Sequence, residues 1–169
     1  MCLSGDTLIT MADGTQRRLD SLKEGDLVLS EDGQPDVICS VRHGSFNPFH
    51  IKYYFNDGTV IDETHDHRFY NKTQGFWQRL KNWKVGDIAV KANGEEVSFA
   101  RKEVIQEKIE NFGIFTKRGT YYANGLLSGA ARCNRSLLAN ATLEQAVDMI
   151  LSIDEKQMAT LLKIDEVLM

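Results

Sequence analysis

Apolar residues in this chain come in short runs, broken every few positions by residues suited to tight turns. Leu27-Val28-Leu29 and Ile88-Ala89-Val90 are β-type runs, each soon followed by a dipeptide favoured in two-residue hairpins, Asp32-Gly33 and Asn93-Gly94. Asp13-Gly14, Asp57-Gly58 and Asn124-Gly125 add three more such turns. Short strands with close punctuation, continuing through residue 128, predict a mostly β domain. After Ser128 the period changes. Thr142-Leu143-Glu144-Gln145 is a capping-box sequence ahead of Ala146, Val147, Met149, Ile150 and Leu151 at helical spacing. Ser152-Ile153-Asp154-Glu155 is a second, ahead of Met158, Leu161 and Leu162. Two short helices are therefore predicted within 142–166, one over 142–151 and the other over 154–166. Their apolar faces either fold back on the β domain or meet a protein partner. The expected organisation is a β domain over 1–130 and a helical extension over 131–169.

The pattern also repeats. Leu22-Lys23-Glu24-Gly25-Asp26-Leu27-Val28-Leu29 matches Trp83-Lys84-Val85-Gly86-Asp87-Ile88-Ala89-Val90, and Gly86 follows Gly25 by 61 residues. The same offset relates Leu19 to Leu80, Gly33 to Gly94 and Gly14 to Gly75. A Lys-x-Gly-Asp turn before a strand is common, but the matched outer positions point to a duplicated unit. In each copy a short amphipathic turn leads to a glycine, which can take φ > 0, and an aspartate able to bond nearby backbone N–H groups.

Composition narrows the picture slightly. With 169 residues, 42% hydrophobic and 26% charged, the chain is long enough for one globular domain and an appendage. A net charge of −4 argues against a general nucleic-acid binder, so the basic, aromatic stretch 72–84 reads as a solvated strand-and-turn surface. No apolar run approaches the ~20 residues of a membrane helix, and no signal peptide is visible, so neither nucleic acid nor membrane is an expected partner. Cys2, Cys39 and Cys133 are too few for a disulfide framework, which favours a reducing compartment.

Three stretches carry candidate chemistry: Cys2-Leu3-Ser4-Gly5-Asp6-Thr7 at the chain start, Thr64-His65-Asp66-His67, and Gly119-Thr120-Tyr121-Tyr122-Ala123-Asn124-Gly125-Leu126-Leu127. In this order and spacing they resemble the Hint domain of inteins, bacterial intein-like domains and hedgehog autoprocessing domains, over residues 2–130. The resemblance implies a flattened, pseudo-two-fold horseshoe of β structure, in keeping with the repeat. It also implies roles. Cys2 would attack the carbonyl before it, exchanging an amide for a thioester, and a thiol suits this because it ionises far more readily than a hydroxyl. His67 matches the histidine that serves as acid and base near the scissile amide, and Thr64 the threonine that polarises or strains it. Asp66 is also common at its position, where it either orients the imidazole or sits in solvent. His43 and His50 match no role and read as surface histidines.

The resemblance stops at the far end. Splicing relatives carry a His-Asn pair soon after the Asn-Gly turn, and asparagine cyclisation there releases the downstream flank. Here Gly129 and Ala130 take those places. Alanine has no side-chain amide, so succinimide formation at residue 130 is chemically excluded. Asn134 follows Cys133, but Arg135 cannot accept an acyl group. Cys2, His65 and His67 form a zinc-like donor set on paper, yet no paired Cys-x-x-Cys and no fourth ligand at diagnostic spacing accompany them. No metal and no cofactor is expected. Two functions remain. The first is an autoprocessing domain that retains the N-to-S acyl shift and cleaves before Cys2 without splicing, its partners being flanking segments in cis. The second is a catalytically idle Hint scaffold serving as an interaction module in a larger bacterial or phage protein. The expected location is cytoplasmic, or virion-associated for a phage protein.

Overall fold

A computed structural model describes residues 2–64 and 66–133, and residues through Ala131 form one compact unit. The predicted helices within 142–166 lie outside the described residues. The strands are β1 (Leu3–Ser4), β2 (Leu8–Thr10), β3 (Gln16–Arg18), β4 (Leu27–Leu29), β5 (Pro35–Asn47), β6 (His50–Phe55) and β7 (Val60–Glu63). They continue with β8 (Arg68–Asn71), β9 (Phe76–Arg79), β10 (Ile88–Val90), β11 (Glu96–Ile105), β12 (Ile109–Thr116), β13 (Thr120–Ala123) and β14 (Leu126–Gly129). One antiparallel sheet runs β10-β11-β6-β7-β1-β12-β5-β4 and the other β3-β2-β13-β14-β8-β9. The domain is mostly β, as the punctuation predicts. No helix among the described residues is long and apolar enough to cross a membrane.

The duplication survives hydrogen bond by hydrogen bond. Gly25 N–H donates to Ile38 O and Gly86 N–H to Phe99 O, at 2.7 and 2.8 Å. The Lys23 and Lys84 amides donate to Oδ2 of Asp26 and Asp87, at 3.0 and 2.9 Å. Both glycines need the left-handed region, with φ of 93° and 96°. The single-turn 3-10 segments Leu19–Ser21 and Leu80–Asn82 precede them. β4 pairs β5 through Leu27↔Val37 as β10 pairs β11 through Ile88↔Ser98. Even the irregularity is shared: the ladder slips between Phe99 and Arg101 opposite β6, and between Phe115 and Thr116 opposite β5.

Exchanging equivalent strands (β4 with β10, β5 with β11, β12 with β6, β1 with β7) reverses the first sheet's order onto itself. Its centre is the antiparallel pair Leu3↔Glu63, two residues that are equivalent in the duplication. A two-fold relation produces such a self-pairing. Each copy places its last strand in the other copy's half: β6 lies between β11 and β7, and β12 between β1 and β5. The buried residues mirror one another, with Leu19, Leu22, Val28 and Ile38 in the first copy and Leu80, Trp83, Ala89 and Phe99 in the second. All belong to one core.

Upstream of the 3-10 turns the offset drops from 61 to 60. Leu19 N–H donates to Thr7 O and Leu80 N–H to His67 O. Gly14 N–H closes onto Met11 O, whereas Gly75 N–H closes onto Asn71 O, one residue further back. The second copy thus has one extra turn residue between β8 and β9. In this frame Ser4-Gly5-Asp6-Thr7 is the equivalent of residues 64–67.

Candidate active site

β1 and β7 meet at the sheet centre, which brings the chain start to the Thr64–His67 turn. Thr64 N–H donates to Cys2 O at 3.4 Å. Cys2, Thr64 and His67 are all buried, at 5%, 6% and 1% exposure. Cys2 is the free cysteine among the described residues, which departs from the expectation of three reduced thiols. His65 lies outside the described residues.

The His67 imidazole is enclosed by aromatic rings: Phe69 lies 5.2 Å away between centroids and Tyr121, edge-on, 6.2 Å. Nε2 is 2.6 Å from Ser128 Oγ and 3.4 Å from the Tyr121 hydroxyl. Ser128 Oγ in turn donates to Gly129 O at 3.2 Å. The donor in the Nε2–Oγ bond is set by the ring's tautomer: with the Ser128 proton given to Gly129 O, the hydroxyl accepts from Nε2–H and Nδ1 is a lone-pair acceptor. Nδ1 is buried and has no hydrogen-bond partner among the described residues. Burial, foremost, drives the imidazole pKa down to about 3, so the ring is neutral at physiological pH. Burial, then the nearby Cys2 thiol, raises the Tyr121 hydroxyl above its ordinary range.

Asp66 sits differently. Its Oδ2 accepts from Lys81 Nζ at 3.1 Å and lies 3.6 Å from Arg79 Nη1, with the side chain 40% exposed. These contacts place that carboxylate in a surface ion network. The Asn124-Gly125 turn joins β13 to β14 as expected, with both residues at positive φ. Asn124 also ties the site's surroundings together, accepting from Leu8 N–H and donating to Val60 O, each at 2.7 Å. Gly129 ends β14, and Ala130 N–H donates to Gly119 O at 2.8 Å.

Three residues near this turn were not singled out by the sequence. Ser128 and Tyr121 hold Nε2, but nothing distinguishes them from ordinary strand residues in the chain. Glu63 is a buried carboxyl, 2% exposed, whose Oε2 accepts from His67 N–H at 3.2 Å. Burial raises its pKa to about 8. His50 corrects an expectation: it is 4% exposed, because carboxylates flank both ring nitrogens, Asp62 Oδ1 at 2.6 Å from Nδ1 and Glu107 Oε2 at 3.7 Å from Nε2. His43 is exposed as expected, its ring edge-on to Phe112.

The two sheets with their exchanged strands define a fold of the intein class. The chain has the Hint fold. It superposes on an intein-like domain from Clostridium thermocellum with TM-score 0.67 at 20% identity, covering 76% of this chain and 97% of that one. A DnaB intein from Synechocystis sp. PCC 6803 gives TM-score 0.67 at 18% identity, covering 77% and 98%. A variant of the gp41-1 intein gives 0.67 at 20%, covering 76% and 98%. No family model and no curated protein matches the chain.

Proposed function

We propose that this domain is an autoprocessing module that performs an N-to-S acyl shift at the peptide bond before Cys2 and cleaves there without splicing. The observation that carries this reading is the buried Nδ1 of His67, which has no hydrogen-bond partner among the described residues, together with the bond from Thr64 N–H to Cys2 O. A neutral imidazole with Nε2 fixed presents a base at Nδ1. In the proposed reaction Nδ1 takes the Cys2 Sγ proton. The imidazolium is disfavoured by burial but stabilised by the thiolate formed beside it. Sulfur then attacks the preceding carbonyl carbon, giving a tetrahedral oxyanion. The C–N bond breaks as Nδ1–H returns its proton to the Cys2 nitrogen. A thioester and a free amine result, and atoms and charge balance. Thr64 would strain or polarise the scissile amide.

Flanking polypeptide in cis is the substrate, and water or an added nucleophile the acceptor. With Gly129 and Ala130 at the far end, neither His-assisted asparagine cyclisation nor ligation follows. The test is a fusion with a folded reporter before Cys2. Excess thiol or hydroxylamine should release the reporter, Cys2→Ala should abolish release, and mass spectrometry should find no cut after Ala130 and no ligated product. An inert wild-type fusion would leave the fold as a scaffold only. A spliced product would refute the reading of the far end.

A further inference from the structure

We propose that Glu63 is a positioning residue for the Thr64–His67 turn, its carboxyl serving as the side-chain acceptor that holds the His67 amide and so fixes where the imidazole stands. The two copies of the fold supply the comparison. In the first, Thr7 N–H donates to Ser4 O at 3.1 Å, so the turn closes on its own backbone. In the second, the equivalent His67 N–H donates to Glu63 Oε2 at 3.2 Å. The residue equivalent to Glu63 is Leu3, and the two pair with each other across the sheet centre. An acidic side chain thus stands where the fold otherwise accepts leucine, and it takes over a bond that backbone makes in the other copy.

The His67 backbone is then gripped from both sides, its N–H by Glu63 and its C=O by Leu80 N–H at 3.1 Å. With Nε2 tied to Ser128, little freedom remains for the ring. Burying an acid in a sheet centre is costly, and the cost is limited by keeping it protonated. The raised pKa of Glu63, driven by burial, is consistent with that. A neutral acid still offers a carbonyl-type oxygen to an amide, and the acceptor is the feature that matters here.

The effect on reaction rate rests on the acyl-shift reading; the anchoring itself does not. Two substitutions separate acceptor from packing. Glu63→Gln keeps a neutral acceptor of the same length, and Glu63→Leu keeps apolar volume, as in the first copy, and removes the acceptor. In the reporter fusion, Glu63→Gln should stay within ~3-fold of the wild-type release rate and Glu63→Leu should fall by ~10-fold or more. In the Cys2→Ala background, where no reaction occurs, hydrogen exchange of the His67 amide should quicken by ~10-fold or more in Glu63→Leu and stay unchanged in Glu63→Gln. Wild-type exchange in Glu63→Leu overturns the proposal, as does equal loss in both variants. If the wild-type fusion is inert, the acyl-shift reading fails while the exchange comparison still decides the anchoring.

Discussion

In the first copy of the duplicated unit, the side chains of residues 4–7 close on one another. Ser4 Oγ donates to Asp6 Oδ1 at 2.6 Å and lies 3.2 Å from Thr7 Oγ1, and the Thr7 amide returns to Ser4 O. In the second copy, residues 64–67 hold the same place in the chain, and Asp66 and His67 bond side chains on other elements. The aspartate turns to Lys81, the last amide to Glu63 and the last side chain to Ser128 on another strand. The backbone frame is common, including the bond from Leu19 or Leu80 that follows. One frame therefore carries a turn tied by its own hydroxyl side chains in one copy and a last residue held by Glu63 and Ser128 in the other.

The sharpest way to break this comparison is to give the second turn the first turn's chemistry. His67→Thr should slow reporter release by ~10²–10⁴-fold, the usual loss for a positioned acid–base group, with the domain still folded by circular dichroism. Wild-type rates would mean that the base lies elsewhere. Ser128→Ala, which removes the partner of Nε2, should cost ~10-fold in release without reaching the loss of the histidine variant. An unchanged rate would show that the tautomer is fixed without Ser128.

The next comparison concerns stability. Asp87 is 5% exposed, and its Oδ2 accepts from both Lys84 N–H and Asn71 Nδ2. Asp26 accepts from the Lys23 amide and, at 3.4 Å, from the half-exposed Arg17. Asp87→Ala should therefore destabilise by ~2–3 kcal/mol, because it leaves without an acceptor the buried Asn71 N–H not bonded to Gln78 Oε1, and Asp26→Ala by ~1 kcal/mol, as read by urea unfolding. Equal effects would mean that the copies share the load.

The last comparison is in pH dependence. His67 binds fewer protons folded than unfolded between about 3 and its ordinary value, so stability rises with pH across that window. Glu63 binds more protons folded than unfolded from its ordinary value up to about 8, so stability falls across that one. The two slopes oppose each other in mildly acid solution, and above the ordinary histidine range only the fall remains. Thermal unfolding from pH 4 to 9 (roughly the span those windows cover) should show that decline, and Glu63→Gln should flatten it. A wild-type curve still rising toward pH 8 would contradict the buried acid.

Much of this arrangement was legible in the chain because turn chemistry leaves fixed marks. Gly25 and Gly86 must take positive φ, and Asp26 and Asp87 must cap the turn, so identity is retained at 61 residues. Cys2, Thr64 and His67 were legible as a spaced motif. The match of Ser4–Thr7 to residues 64–67 was not, since it runs at 60 residues and keeps identity only at Asp6 and Asp66. The single extra residue between β8 and β9 hides it. Glu63 was invisible for another reason: within Val60-Ile61-Asp62-Glu63 an acid reads as a solvent-facing strand position, yet it shares the buried side of β7 with Ile61. His50 was misread because its partner Asp62 lies twelve residues on.

The exchanged last strands also bear on inheritance and assembly. Neither copy can complete its half of the sheet from its own residues, because β6 and β12 each fill a gap in the other's. Two identical chains trading that strand would form a symmetric dimer of the same design, and the short link Asn56–Thr59 between β6 and β7 converts such a dimer into one polypeptide. A clasp of this kind ties both halves to a single melting event. It also makes Asn56–Thr59 the natural place to cut the molecule into two pieces that must find each other before either can hold its shape.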